Sequence, residues 1–161
     1  METEQSQIQT QLLPDTWEQF FEKCKPEILI LQYWQVVYIE DSLSKKRITF
    51  REMRDKYGTI NHKKYGICEA PVLYFFEYLN YFNTLSNINK PLPAVAIKQL
   101  SLILYSKYYY FYLSDLKLIL EGLLEGKYGK FYGSVDSVLI SSAFKEYSDK
   151  RMQKQYELKN K

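Results

Sequence analysis

Apolar side chains recur three and four residues apart between Ala70 and Asn83. They stand at Val72, Phe75, Phe76, Leu79 and Phe82. This spacing places them on one face of an α-helix, which completes a turn in about 3.6 residues. The stretch therefore predicts a helix whose wide apolar face must be covered by other parts of the chain.

The same periodicity, together with capping residues and breaks, predicts that most of the chain is helical. A short first helix starts at Leu13, Pro14 and Asp15 and ends at Pro26. Residues 28–39 would suit a strand by their β-branched content, but the length of this apolar run favours a buried helix. Further helices are predicted over 48–57, 94–112 and 115–124, the last of these with Ser114 as N-cap. A final helix is predicted to be capped by Asp136. It carries on one face Leu139, Ile140, Ala143, Phe144 and Tyr147. Loops are predicted at 59–69, 87–93 and 127–133.

These elements predict one compact all-α domain of six or seven helices. A chain of 161 residues has the length of a single domain and can bury a sizeable core. Residues 1–12 are expected to form a flexible lead-in, residues 13–148 the helical domain, and residues 149–161 a charged tail that frays into solvent. The 27 aromatic residues, accompanied by few glycines and prolines, exclude disordered and collagen-like chains.

Residue types that carry catalysis or bind metals are scarce. The single histidine, His62, and the cysteines Cys24 and Cys68 lack the spacing of a zinc site. No close pair of carboxylates lies in an apolar setting, so no catalytic residue, metal or cofactor is predicted and the chain is expected not to be an enzyme. The N-terminus does not resemble a signal peptide, and no run of about 18 apolar residues occurs. The expected compartment is therefore the cytoplasm, without a membrane partner.

The net charge of +3 conceals an uneven distribution. Residues 1–43 carry a net charge of −6, whereas residues 45–64 carry +6. In the basic stretch, three arginines are spaced so that they share one helix face. Such a face can position phosphates, although an ordinary solvated surface would show the same pattern. The predicted nucleic-acid contacts are Arg47, Arg51, Arg54, Lys56, Lys63 and Lys64.

Six aromatic residues cluster near the end of the predicted helix 94–112. They are Tyr105, Tyr108, Tyr109, Tyr110, Phe111 and Tyr112. One interpretation is a platform on which nucleic-acid bases stack. The other is a helical face packed in the core. The core is favoured, because Lys107 is the only basic residue among them and a nucleic-acid groove needs charge as well as rings.

Glycines, lysines and aromatic residues alternate from Gly126 to Gly133, just before the last predicted helix. Backbone N–H groups together with Lys127 and Lys130 could hold an anion there, which makes these lysines a second candidate nucleic-acid surface. The spacing is neither that of a P-loop nor that of a dinucleotide fingerprint. A turn whose aromatic residues pack into the core is therefore favoured. The aromatic residues are Tyr128, Phe131 and Tyr132, of which Tyr128 and Tyr132 are the candidate interaction residues.

A resemblance to known proteins begins at this loop. The segment 126–136, Gly-Lys-Tyr-Gly-Lys-Phe-Tyr-Gly-Ser-Val-Asp, is followed by Ile140, Phe144 and Arg151. It resembles a C-terminal signature of short uncharacterised proteins from phages and mobile elements of Bacteroidota, over about a quarter of the chain from roughly Ser114 onward. The resemblance implies an all-helical fold and a bacterial host cell, but no activity. Small helical proteins of such elements often serve DNA replication, for example as helicase loaders.

Two hypotheses about function follow. The first is a non-enzymatic accessory protein of phage or mobile-element DNA metabolism that binds a protein partner, nucleic acid, or both. The second is a protein-interaction module, such as an inhibitor of a host factor, that uses exposed tyrosines and the acidic N-terminal region and does not bind nucleic acid.

Overall fold

The computed structural model describes residues 13–160, so the predicted lead-in over residues 1–12 lies outside the described part of the chain. In chain order the elements are α1 (Trp17–Cys24), a 3-10 turn (Pro26–Ile28), α2 (Leu29–Gln32), α3 (Ile39–Leu43), α4 (Phe50–Tyr57), β1 (Thr59–His62), β2 (Gly66–Glu69), α5 (Ala70–Ser86), α6 (Ala94–Tyr108), α7 (Leu113–Leu124) and α8 (Ser137–Lys159). The architecture is mostly all-α with a minor two-stranded sheet.

Helix α5 forms the centre of the fold, and it packs against α4, α6 and the 3-10 turn. Every side chain of the predicted stripe is buried, and so are Leu73, Tyr74 and Tyr78 beside it. A helix that is apolar on most of its circumference must be surrounded by other elements. The buried phenols keep hydrogen-bond partners: the Tyr78 hydroxyl donates to the carbonyl of Leu116 at 2.9 Å, and the Tyr74 hydroxyl donates to that of Cys24.

Aromatic rings join α5, α6 and α8. The ring of Phe144 lies 6.2 Å from that of Phe75, 5.6 Å from that of Tyr108 and 6.3 Å from that of Phe111, measured between centroids. Tyr108 and Phe111 are buried, as the core interpretation of the tyrosine cluster predicts. Tyr109 is 41% exposed, so one ring of the cluster faces solvent.

The predicted buried helix over 28–39 is wrong. Helix α2 makes one turn and ends at Gln32, and the chain then turns through Val36, whose N–H donates to the carbonyl of Tyr33. The Asp41 carboxylate accepts hydrogen bonds from the N–H groups of Val37 and Tyr38, at 3.0 and 2.9 Å. This cap starts a new helix, α3, at Ile39, because it satisfies N–H groups that a continuous helix would have paired internally.

The predicted loop over 59–69 is a β-hairpin. Strand β1 pairs antiparallel with β2, and His62 lies opposite Gly66. The His62 ring closes the turn, since its Nδ1 atom accepts hydrogen bonds from the N–H groups of Lys64 and Tyr65, at 3.1 and 3.3 Å. Gly66 has a φ of 75°, which side chains with a Cβ rarely adopt.

Two predictions about the last helices also need correction. Ser114 is not the N-cap of α7: the helix begins at Leu113, two residues before the predicted start, and the Asp115 carboxylate accepts from the N–H of Tyr112 at 2.7 Å. Helix α8 runs to Lys159, where a tail was predicted from residue 149. It continues because Arg151 is buried against Asp115, and because Lys145 forms an i,i+4 ion pair with Asp149.

Candidate nucleic-acid interface

Helix α4 carries the predicted basic face. It starts with a capping box, in which the Thr49 hydroxyl accepts from the N–H of Glu52 and the Glu52 carboxylate accepts from the N–H of Thr49, both at 3.1 Å. Phe50 and Met53 are completely buried beneath the helix. Arg51 is consequently left on the outer side, where it is exposed.

Arg47 does not belong to this face, contrary to the spacing argument. The capping box begins α4 at Phe50, so Arg47 lies before the helix. Its guanidinium lies 5.4 Å from the ring centroid of Tyr33 and donates to the carbonyls of Ser42 and Asp41, at 3.3 and 3.5 Å. These contacts give Arg47 a structural role in holding the segment before α4.

The tertiary fold brings α4 against the end of α6. The N–H of Arg51 donates to the carbonyl of Tyr109 at 2.9 Å, and the N–H of Phe50 donates to that of Phe111 at 3.2 Å. The Arg51 guanidinium lies 5.8 Å from the ring centroid of Tyr109, in cation–π contact. A groove of about 340 Å³ opens beside this junction, and it is lined by Arg51, Arg54, Asp55, Glu69, Tyr105, Ser106 and Tyr109.

The two arginines of the groove differ in their surroundings. Arg54 lies 3.6 Å from the carboxylate of Glu69 and 4.0 Å from that of Asp55. Arg51 forms no ion pair within residues 13–160. A phosphate in the groove would therefore meet two cations of different kinds. The charge of Arg54 is already engaged by carboxylates, whereas that of Arg51 is available to the phosphate.

Tyr105 supplies the second ring of the groove. Burial raises the pKa of its hydroxyl, and the negative charge of Glu69 raises it further. The phenol thus remains protonated at neutral pH and can donate a hydrogen bond. Rings and guanidinium groups side by side are the components that bind an unpaired base together with its phosphate.

The other predicted basic contacts are exposed but do not line the groove. Lys63 and Lys64 lie in the turn of the hairpin, beyond the end of β2 that is opposite to Glu69. Lys64 places its ammonium 5.3 Å from the ring centroid of Tyr65. The predicted set therefore does not form one site: Lys56, Lys63 and Lys64 lie outside the groove.

The loop from Gly126 to Gly133 has the geometry of a turn. Gly129 has a φ of 121°, and the Asp136 carboxylate caps α8 by accepting from the N–H of Val138 at 2.8 Å. Tyr128 is half-buried against Gly122 of α7, and burial raises the pKa of its hydroxyl to about 12. Tyr132 is 88% exposed, so the expectation that it packs into the core is wrong.

Lys127 and Lys130 are both exposed in this loop, and Lys127 lies 5.7 Å from the ring centroid of Tyr128. The carboxylate of Asp136 occupies the N-terminus of α8, where an anion would otherwise bind.

A buried polar cluster was missed by sequence reasoning. The completely buried carboxylate of Asp115 accepts hydrogen bonds from the guanidinium of Arg151 at 3.1 Å, from the hydroxyl of Ser42 at 2.9 Å and from that of Tyr147. Ser114 lies 2.6 Å from Ser42, oxygen to oxygen. Burial and the charge of Asp115 raise the pKa of Tyr147 above its usual value. The signal in the sequence is that Arg151 follows Phe144 and Tyr147 on the apolar face of α8.

Among residues 13–160, no three His, Cys, Asp or Glu side chains are placed to bind a metal ion together. No helix in the same range has both the length and the apolar character needed to cross a bilayer.

Comparison with known proteins finds a family model that matches part of the chain. Residues 91–161, which contain α6, α7 and α8, match the model of a family described as a family of unknown function (DUF6633). The match begins earlier than the predicted C-terminal signature, and it includes Asp115, Tyr147 and Arg151. No curated protein and no solved structure matches the chain.

Proposed function

We propose that this chain is a non-enzymatic accessory protein of phage or mobile-element DNA metabolism that contacts single-stranded nucleic acid at the groove between α4 and α6. The observation that carries the proposal is the position of the Arg51 guanidinium over the ring of Tyr109, next to Tyr105. The phage or mobile-element setting rests on the resemblance of the 126–136 segment.

The groove adds the positive charge that the tyrosine cluster lacks in its own stretch of sequence. Single-strand binding combines cations that follow the phosphates with rings on which bases stack. The rings come from Tyr105 in α6 and from Tyr109 directly after it. The cations come from α4, where Arg51 and Arg54 lie more than 50 residues before these rings in the chain. Only unpaired bases can stack on a side chain in this way, so a single strand is expected to bind better than a duplex.

The carboxylates of the groove limit the affinity. Asp55 and Glu69 offset the charge of Arg54 and would repel a phosphate placed near them. Arg51 should therefore contribute more to binding than Arg54. Neutralising Glu69 should release Arg54 and strengthen binding.

The test is a titration of labelled single- and double-stranded oligonucleotides at several salt concentrations. We expect Arg51→Glu and Tyr109→Ala each to weaken single-strand binding by roughly tenfold, Tyr109→Phe to retain it, and Glu69→Gln to strengthen it. The salt slope of Arg51→Glu should be shallower, because fewer counterions are released.

Lys98→Glu is the matched control, since Lys98 is an exposed residue of α6 that does not line the groove and, like Arg51, forms no ion pair within residues 13–160. It makes the same change in net charge and should leave affinity nearly unchanged. Equal losses in Lys98→Glu and Arg51→Glu would show a general charge effect and would overturn the site. Absence of binding by the unmodified protein at low salt would overturn the function itself.

A second candidate function is the protein-interaction module. One observation favours it: Trp34 and its neighbours form an exposed apolar surface, although sequence reasoning placed them in a buried helix.

A further inference from the structure

The hairpin formed by β1 and β2 has two faces of different character. On the inner face, Ile60 and its cross-strand partner Cys68 are partly buried against the core. Side chains of a strand alternate between its two faces, so every second residue belongs to the outer face. The outer residues are Thr59, Asn61, Ile67 and Glu69. Ile67 is 77% exposed, which leaves a large apolar side chain in solvent on this face.

The outer face of the hairpin continues the groove between α4 and α6. Glu69, at the end of β2, lines the groove and lies 3.6 Å from the guanidinium of Arg54. Its cross-strand partner Thr59 is exposed, and the next pair on the same face consists of Asn61 and Ile67. A ligand chain that leaves the groove past Glu69 therefore meets this pair before it reaches the turn.

The charges of the groove cancel, since Arg51 and Arg54 face the carboxylates of Asp55 and Glu69. Over the whole of α4 and the hairpin, however, residues 50–69 carry five lysines and arginines against three acids. The excess of positive charge therefore lies outside the groove, and part of it lies in the turn of the hairpin. A polyanion bound in the groove gains attraction when it extends toward that turn.

The turn presents its lysines on a fixed backbone. The Nδ1 atom of His62 accepts from the N–H groups of Lys64 and Tyr65. The ammonium of Lys64 lies over the ring of Tyr65, and its charge also interacts with the half-buried carboxylate of Glu77. Lys63 is exposed and forms no ion pair in the described part of the chain, residues 13–160. Lys63 is therefore the cation most available to a phosphate at this end.

The length of the hairpin matches a few nucleotides of a single strand. Gly66 begins β2 and lies three residues from Glu69, which is about 10 Å at the rise of an antiparallel strand. Successive phosphates of one stacked strand are about 3.4 Å apart, so roughly three nucleotides cover this distance. An exposed apolar residue is ordinary by itself, but Ile67 lies between two cationic sites, where a base can rest on it. The amide of Asn61 opposite can both donate to a base edge and accept from it.

We propose that the outer face of the hairpin is a second section of the single-strand site. The strand leaves the groove, passes over Ile67 and Asn61, and places a phosphate on Lys63. This inference rests on the proposed function of the groove and adds the length and the course of the bound strand. A dinucleotide is confined to the groove, whereas a strand of about eight nucleotides reaches both sections.

The test compares a thymidine dinucleotide with an oligothymidylate of about eight nucleotides, by NMR at low salt. We expect the longer strand to shift the backbone amide signals of Asn61 and Ile67 together with that of Tyr109. The dinucleotide should shift the signal of Tyr109 and leave those of the hairpin face unchanged.

Variants test the two sections separately. Lys63→Glu should lower the affinity for the longer strand by roughly fivefold and leave that for the dinucleotide unchanged, whereas Arg51→Glu should weaken both. Ile67→Thr keeps a β-branched residue in the strand and removes the apolar surface, and we expect it to weaken binding of the longer strand alone. Lys98→Glu is the matched control for charge, because Lys98 is exposed on α6 and does not line the groove.

The outcomes separate this inference from the proposed function. Equal losses in Lys63→Glu and Lys98→Glu would show a general charge effect and would overturn the second section. A loss in Lys63→Glu that is the same for both ligands would also overturn it, since the dinucleotide does not span the hairpin. Shifts confined to the groove with the longer strand would overturn the second section and leave the function of the groove standing. Absence of shifts with either ligand would overturn the proposed function, and the second section with it.

Discussion

Asp115 of α7 and Arg151 of α8 form an ion pair of 3.1 Å in which both side chains are almost completely buried. The pair is surrounded by aromatic rings, since the guanidinium carbon of Arg151 lies 5.6 Å from the ring centroid of Tyr110 and 5.1 Å from that of Tyr112. Asp115 also binds the hydroxyl of Ser42 in α3. One carboxylate therefore connects the consecutive helices α7 and α8 to α3, which lies far from them in sequence.

Removing one member of the pair should be strongly destabilising. In Asp115→Asn the guanidinium of Arg151 stays buried without a counter-charge, and we expect a loss of about 3–5 kcal/mol in the free energy of unfolding. Urea denaturation followed by circular dichroism measures this loss. The double variant Asp115→Leu/Arg151→Met, which buries no charge, should lose less than the single variant. A double variant that is less stable than Asp115→Asn would contradict the explanation.

Gly122 and Tyr128 should show coupled effects on stability. A Cβ atom at Gly122 would lie 2.5 Å from Cε2 of the Tyr128 ring, so Gly122→Ala must displace this ring from α7. In a Tyr128→Ala background that obstacle is gone, and the higher helix propensity of alanine should stabilise the protein by up to about 1 kcal/mol. A double-mutant cycle by urea denaturation measures the coupling. Additive effects would mean that the ring does not pack on Gly122 in solution.

Stability should fall at alkaline pH because buried tyrosines resist ionisation. Burial raises the pKa of Tyr33 to about 12 and holds those of Tyr74 and Tyr78 well above their usual value. Above about pH 10 the unfolded chain releases these protons and the native protein keeps them, so the stabilisation is complete below that pH and is lost as the pH rises. Each such tyrosine should contribute a slope of about 1.4 kcal/mol per pH unit.

Urea denaturation at several pH values, with tyrosinate absorbance in parallel, tests the alkaline effect. Replacement of the exposed Tyr132 by phenylalanine should leave the slope unchanged, since its side chain is already in solvent. Stability that stays constant well above pH 10 would argue against burial of the phenols.

The interior of the fold could be predicted from sequence wherever a helix has one continuous apolar face. The whole α5 stripe is buried, and in the α8 stripe every residue except the partly buried Leu139 is buried. This could be predicted because a spacing of three and four residues places side chains together without any knowledge of neighbouring elements. The Asp136 cap and the break at 87–93 were predicted for the same local reason.

Prediction failed where a partner distant in sequence decides the local structure. Residues 28–39 are apolar enough for a buried helix, but Asp41 and Lys117 hold the backbone of Val36, Val37 and Tyr38 in a turn. The hairpin at 59–69 was missed because its pattern is short and its turn is closed by the ring of His62. In both places a few hydrogen bonds outweigh local propensity.

In the candidate interface, too, some features follow from local sequence and others from contacts with distant residues. The sequence by itself determined that Arg51 and Arg54 lie on a short basic helix and that Tyr105 and Tyr109 belong to an aromatic cluster without charge. Only the tertiary structure decided that the two sets meet, through the hydrogen bond from the N–H of Arg51 to the carbonyl of Tyr109, and that Arg47 turns away from them. The physical reason is that helical periodicity determines which side chains share a face, whereas the contacts between helices depend on pairings, such as Asp115 with Arg151, that no local pattern records.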